Sequence, residues 1–277
     1  MALHHKDIAK MGWDVFAEKL QPATRGTKRN AAEEPALREY FGDEYEALQK
    51  LAAHAQLVRA TTRPLGNVVF LHGIMGGNLT TVEKNGDEDL IWVHLPRLLL
   101  GRIERLQLAD DGQHEADPAF TVRATDLDKL TYARAILWLR ARWDVRPFAY
   151  DWRKDIDESA DALARFIRDQ FGDQPVHLVA HSMGGLVCRN FIRRHKDLWE
   201  NLRDGEGSHG GRLIMLGTPN FGSFVVPQAF TGVEKMLKRN AHRFISNSCT
   251  VTLRESGHRS SSLAITRESR QWARRVQ

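Results

Sequence analysis

The sequence predicts an α/β fold in which a mostly parallel sheet is covered by helices on both faces. Three observations lead there. Short apolar runs recur along the chain, stretches with apolar residues spaced at three and four lie between them, and polar residues with chemical character stand directly after the runs. Strands separated by helices of this kind form βαβ units, which require a parallel sheet. Ligands gather at the carboxyl ends of such strands.

The elements follow in order. Leu37, Tyr40, Phe41, Tyr45, Leu48, Leu51 and Ala52 give helical spacing across residues 34–60. Pro64 and Gly66 end that stretch, and Asn67–Leu71 is the first strand of the core. Residues 78–128 mix turn signals (NGDED, ADDGQ) with an apolar piece, IWVHLPRLLL, that has no secure assignment. A helix near 129–143, a strand at Pro147–Tyr150 and a helix over DESADALARFIRDQF come next. They are followed by the strand VHLVA, the helix GGLVCRNFIRRH and the strand RLIMLG. The division this implies is a helical N-terminal extension (1–65), a core (66–238) and a basic tail (239–277).

Composition narrows the function. The chain has 277 residues, 42% of them apolar and 27% charged, as expected of a globular protein with one substantial core. The first residues carry no apolar leader, and no run approaches the roughly 18 apolar residues of a membrane span, so a cytoplasmic location is expected. The net charge of +5 is a property of the tail. Residues 239–277 hold eight Arg, no Lys and two Glu, a balance of +6 that leaves the first 238 residues at −1. Arginine scattered among serines without apolar periodicity argues against nucleic acid as a partner. Of two cysteines, Cys188 falls in a helical apolar pattern and reads as a buried free thiol. No metal site or cofactor is indicated, and the oligomeric state is not readable.

The chemistry centres on Val179–Gly185, VAHSMGG, where a strand turns into a helix. A serine hydroxyl is a poor nucleophile unless it is exposed, oriented and deprotonated. A tight strand-to-helix turn supplies the first two needs and admits only small residues two before and two after the serine, here Ala180 and Gly184. Ser182 is therefore the candidate nucleophile. The sequence His72–Gly77, HGIMGG, directly after the first core strand, suits a loop that swings a backbone amide toward the serine. The amides of Ile74 and Met183 are the expected oxyanion hole. His72, Gly73, Trp152, Asn220 and Phe221 stand after strands and are expected to contact substrate. His181 invites assignment as a general base, but adjacent elbow positions point in different directions, and a packing role is preferred. Asp151 and Arg153 read as a structural ion pair. Phe224, Val225, Val226, Phe230, Val233, Met236 and Leu237 suit either a lid or an ordinary core helix. Asn78–Leu79–Thr80 fits the glycosylation pattern.

Four stretches in this order, VVFLHGIMGGNL, FAYDWRKDI, VHLVAHSMGGLVCRNFI and LIMLGTPNFGS, resemble the successive motifs of the lecithin:cholesterol acyltransferase-like lipases. The resemblance covers roughly residues 66–237, and the Ala-x-Ser-x-Gly elbow is also similar to that of small bacterial lipases. It implies an α/β-hydrolase fold and a lipid or other acyl-ester substrate. It also implies attack by Ser182, a covalent acyl-enzyme and release to water or an acceptor alcohol, with contact to a lipid surface as a further implication. In this fold an acid and a histidine follow the serine in the chain. Beyond TPNFGS the sequence offers only Glu234, Glu255, Glu268, His242 and His258. Glu234 and His258 are the candidates for the pair. The change of composition near residue 239 reads as a truncation or frameshift of a longer family member. A non-catalytic fragment is the alternative to a serine hydrolase.

Overall fold

The computed structural model describes residues 4–21, 33–92, 102–172, 174–203 and 210–224. Helices α1 (His5–Lys10), α2 (Trp13–Lys19), α3 (Glu33–Phe41) and α4 (Tyr45–Thr61) precede the first strand. Strand β1 (Asn67–Leu71) leads into β2 (Gly77–Glu83), β3 (Glu88–Trp92) and β4 (Phe120–Leu127). Then follow α5 (Lys129–Arg140), β5 (Asp144–Phe148), α6 (Ile156–Phe171), β6 (Val176–His181), α7 (Met183–Arg194), α8 (Lys196–Arg203) and β7 (Leu213–Leu216).

The main sheet has the order β5-β1-β6-β7, and every pairing in it is parallel. Side chains alternate across it as the pleat demands. Val68 and Phe70 of β1 join Val145 and Val179 in a core with α4 and α5, whereas Val69 and Leu71 join Leu178 and Ala180 in a second core with α6 and α7. The near-continuous apolar strands β1 and β6 are thus buried on both faces, and the chain is an α/β protein as the sequence predicts. Residues 1–218 form one compact unit, and a second unit begins at Pro219.

Three expectations change. The stretch 78–128 contains an antiparallel sheet of order β3-β2-β4. Thr80 and Thr81 are buried on its two opposite faces, so it lacks the apolar run that announces a strand. The helix expected over 34–60 is two helices, broken where Gly42 turns the chain with φ +54°. The second strand of the core starts three residues earlier than expected, at Asp144, and Pro147 sits inside it on an edge strand, where a missing N–H costs little.

The helices before residue 65 share the core of the sheet, with Ile8, Phe16, Leu20, Leu37 and Tyr45 packed in the same cluster as Phe70 and Ile136. Their polar anchor is Lys129, whose side chain is wholly enclosed. Its ammonium donates to Asp126 Oδ2 at 2.8 Å and to the Ala9 carbonyl at 3.1 Å and lies 4.9 Å from the centre of the Trp13 ring. The Trp13 indole donates to the other oxygen of the same carboxylate at 2.6 Å. Burial lowers the lysine pKa, and Asp126 opposes that shift. Asn78 is likewise buried and donates to the Ala9 carbonyl, so the glycosylation pattern it heads is closed in the folded chain.

Helix α5 begins at a conventional cap. Asp128 accepts from the amides of Leu130 and Thr131 and from the Thr131 hydroxyl at 2.6 Å. Removing such a cap costs about 1–2 kcal/mol. Asp128→Ala is therefore expected to lower stability by about 1 kcal/mol, read in urea denaturation as a lower midpoint with an unchanged m value.

Candidate active site

Ser182 stands between β6 and α7 with φ +52° and ψ −121°. An L-residue held at positive φ costs on the order of 1–3 kcal/mol and persists only where its surroundings fix it. Here the Ser182 amide donates to the Leu216 carbonyl of β7 at 2.8 Å, which ties the bend to the sheet. A serine before a helix usually turns its hydroxyl onto the next amides. Ser182 makes no such bond, and its side chain is only partly buried. Among the described residues its hydroxyl has no hydrogen-bond partner.

The bend exists because its neighbours lack side chains. A Cβ at Gly184 would stand 2.5 Å from the His72 carbonyl oxygen, and one at Gly73 would stand 2.9 Å from Ser182 Cβ. A Cβ at Gly185 would collide with the Thr218 side chain. The parallel register of Leu71 opposite Ala180 carries the two strand exits out side by side, so that residues 72–77 lie against the elbow.

Residues 73–76 form a tight turn in which the Gly76 amide donates to the Gly73 carbonyl at 3.0 Å and Met75 takes φ +62°. A left-handed third residue is the pattern of a type II turn, where glycine is usual. Side chains from the rest of the fold hold the strained loop. The Tyr150 hydroxyl donates to the His72 carbonyl at 2.8 Å, the Trp92 indole to Met75 at 2.7 Å and the Trp152 indole to Gly77 at 3.0 Å. The Asp128 amide donates to the Gly76 carbonyl, and the Tyr132 hydroxyl accepts from the Gly73 amide at 2.8 Å. Among the described residues the amides of Ile74 and Met75 have no hydrogen-bond partner. Met183 is the first residue of α7, so its amide has no carbonyl one turn back within the helix. Partnerless amides at a loop and a helix N-terminus favour negative charge.

His72 does not face a ligand. It is completely buried and stacked on Tyr150 with ring centroids 4.1 Å apart. Its Nε2 accepts from the Tyr150 amide at 3.1 Å, which leaves the ring proton on Nδ1, 2.7 Å from the Gly73 carbonyl. Burial pushes its pKa down to about 4. The expectation that His72 contacts substrate is corrected to a loop-holding role, because both ring nitrogens are occupied by backbone. Trp152, expected to contact substrate, turns its N–H inward to Gly77 and packs edge-on against Trp92 at 5.4 Å.

Arg153 is nearly buried, paired with Asp151 at 2.6 Å and Glu115 at 3.1 Å, and also donates to the Leu106 carbonyl. It is the structural ion pair the sequence suggests. Cys188 is a buried free thiol, and burial pushes its pKa up. His181 Nδ1 lies 2.9 Å from the Tyr132 hydroxyl, and burial lowers its pKa. Asn220 and Phe221 sit in the second unit, in a turn that the Gly222 amide closes onto the Pro219 carbonyl, with the Phe221 ring exposed. Glu234 and His258, with the apolar stretch after Phe224, lie outside the described residues. Among the described residues no imidazole is hydrogen-bonded to Ser182, no group of three His, Cys, Asp or Glu is placed to hold a metal ion, and no helix is long and apolar enough to cross a membrane. Sequence reasoning missed Tyr132, Tyr150 and Trp92. Their roles depend on contacts across 17 to 78 positions, and no local pattern marks them.

Comparison with known proteins gives three likenesses. Residues 139–253 match the family model described as lecithin:cholesterol acyltransferase. The chain is similar to the lysosomal phospholipase A and acyltransferase of Canis lupus familiaris, 30% identical over 128 residues, or 40% of this chain and 31% of that protein. It is also similar to an uncharacterized protein of Saccharomyces cerevisiae, 28% identical over 143 residues, or 46% of this chain and 21% of that protein. The chain thus spans under a third of the length of either relative.

The His72 geometry has a consequence for stability. Unfolded histidine takes a proton near pH 6.5, whereas His72 in the fold does so only near pH 4. The unfolded state therefore binds more protons between these values, and stability falls as pH drops through that window, by roughly 3 kcal/mol in total for this shift. Urea denaturation at pH 7, 5.5 and 4.5 is expected to show the decline, and His72→Gln, which still accepts from the Tyr150 amide, is expected to reduce it.

Proposed function

Since the chain is like the lecithin:cholesterol acyltransferase family over residues 139–253, we propose that it is a serine-dependent enzyme acting on lipid acyl esters, as hydrolase or acyltransferase. The observation that carries this reading is the uncommitted Ser182 hydroxyl, held at φ +52° beside a loop and a helix end with partnerless amides. The Ser182 oxygen attacks the ester carbonyl carbon, and the carbonyl oxygen takes up the negative charge between the Ile74 and Met183 amides. Collapse of that adduct expels the alcohol and leaves an acyl-enzyme, which water or an acceptor alcohol then releases. A preorganised donor of this kind is worth roughly 3 kcal/mol in the transition state. The phospholipase A and acyltransferase activities in the canine relative's name favour a lipid substrate. Ile74 and Met75, both exposed, give the mouth of the site an apolar border suited to lipid.

Proton transfer from Ser182 falls in this reading to His258, with Glu234 as its acid. A second reading, a non-catalytic hydrolase-like chain, is favoured by one observation: no described imidazole reaches Ser182. Losing the base of a serine triad costs about a millionfold in kcat, so the two readings differ sharply in rate. A fluorophosphonate probe separates them. Wild-type protein is expected to be labelled, Ser182→Ala to be silent and His258→Ala to be labelled at least a hundredfold more slowly. A folded wild-type protein that takes no label supports the second reading.

A further inference from the structure

Helix α5 starts beside the site without contributing to its chemistry, and its first turn grips both ends of the strained turn 73–76. At one end the Asp128 amide donates to the Gly76 carbonyl at 2.9 Å. At the other the Gly73 amide donates to the Tyr132 hydroxyl at 2.8 Å. A Cβ at Gly76 would stand 2.5 Å from that same hydroxyl oxygen, so the loop is wrapped closely around it. The oxygen also lies 2.9 Å from Nδ1 of His181, the residue immediately before Ser182.

We propose that Tyr132 is the positioning residue of this site, its hydroxyl joining the loop of Ile74 to the elbow of Ser182 through Gly73 on one side and His181 on the other. This rests on the serine-enzyme reading for its consequence in rate, though not for the linkage itself. Proton placement follows from the partners. An amide can only donate, so the Tyr132 oxygen accepts from Gly73; His181 Nδ1 is the one acceptor within reach of its own hydrogen among the described residues, and we assign that hydrogen to it. Neutral His181 then carries its ring proton on Nε2 and has no vacant lone pair to take a proton from Ser182. The histidine next to the nucleophile is an acceptor for tyrosine, and one hydroxyl ties the loop to the elbow. Phe70, packed edge-on against the Tyr132 ring at 5.6 Å, fixes the ring without needing the hydroxyl. The linkage is therefore separable from packing.

The test uses the full chain with Tyr132→Phe. Fluorophosphonate labelling of Ser182 is expected to slow about thirtyfold in its maximal rate, a fraction of the loss when an oxyanion donor is deleted outright, with half-saturating probe changed less than about twofold. Amide exchange at Gly73 is expected to quicken at least about tenfold as its acceptor disappears. On the other side of the bridge, His181→Leu should slow labelling about as much, whereas His181→Asn, which returns an acceptor oxygen near the Nδ1 position, should recover most of the rate. Labelling of Tyr132→Phe within threefold of wild type, or unchanged exchange at Gly73, overturns the proposal. So does an Asn variant as slow as Leu, since that would give the imidazole a chemical role. If Tyr132→Phe fails to fold, the His181 pair decides. If wild-type protein takes no label, the serine-enzyme reading fails and exchange at Gly73 alone decides the linkage.

Discussion

The site depends on one close approach, the contact between the exits of β1 and β6. Gly73 lies against Ser182 Cβ and Gly184 against the His72 carbonyl, at separations that exclude any side chain on either glycine. Parallel neighbours in register bring two loops out at one edge of a sheet, but only small residues let them touch. The contact turns two backbone features, a hydroxyl on a sharp bend and amides on a tight turn, into a single feature. It also imposes two left-handed non-glycine residues, Met75 and Ser182, whose strain the buried strands beneath must outweigh.

The surrounding polar groups serve the same contact. The carbonyls of His72, Gly73, Met75, Gly76 and Gly77 all accept hydrogen bonds, three of them from aromatic side chains, while the Ile74 amide is left without a described partner. A loop whose carbonyls are engaged while the amides of Ile74 and Met75 have no partner among the described residues is biased toward an anion. His72 fits that logic as a neutral ring that bridges two backbone groups, and the Asp151–Arg153–Glu115 cluster braces the segment after β5 from below.

Much of this was legible in the sequence, for a physical reason. Strands buried on both faces must be continuously apolar, so VVFL and VHLV announce themselves, and close backbone approach demands the glycines and alanine flanking Ser182. The three-stranded insertion was not legible, because Thr80 and Thr81 satisfy burial with hydroxyls and polar partners. The burial of Lys129 is equally unmarked in the sequence, a charge in the core made tolerable by Asp126, a carbonyl and an indole face. His72 drew attention for its chemistry but stands as a structural brace, and the residues that hold the loop, Tyr132, Tyr150 and Trp92, come from distant parts of the chain. A loop's shape is written partly in the elements that grip it.

A crystal structure of the protein carrying a phosphonate on Ser182 bears most directly on the central claim. The account predicts a phosphorus–oxygen bond at Ser182 Oγ and the phosphoryl oxygen within about 2.7–3.1 Å of both the Ile74 and Met183 amides. A phosphoryl oxygen turned to solvent, or bound by other groups, would contradict it.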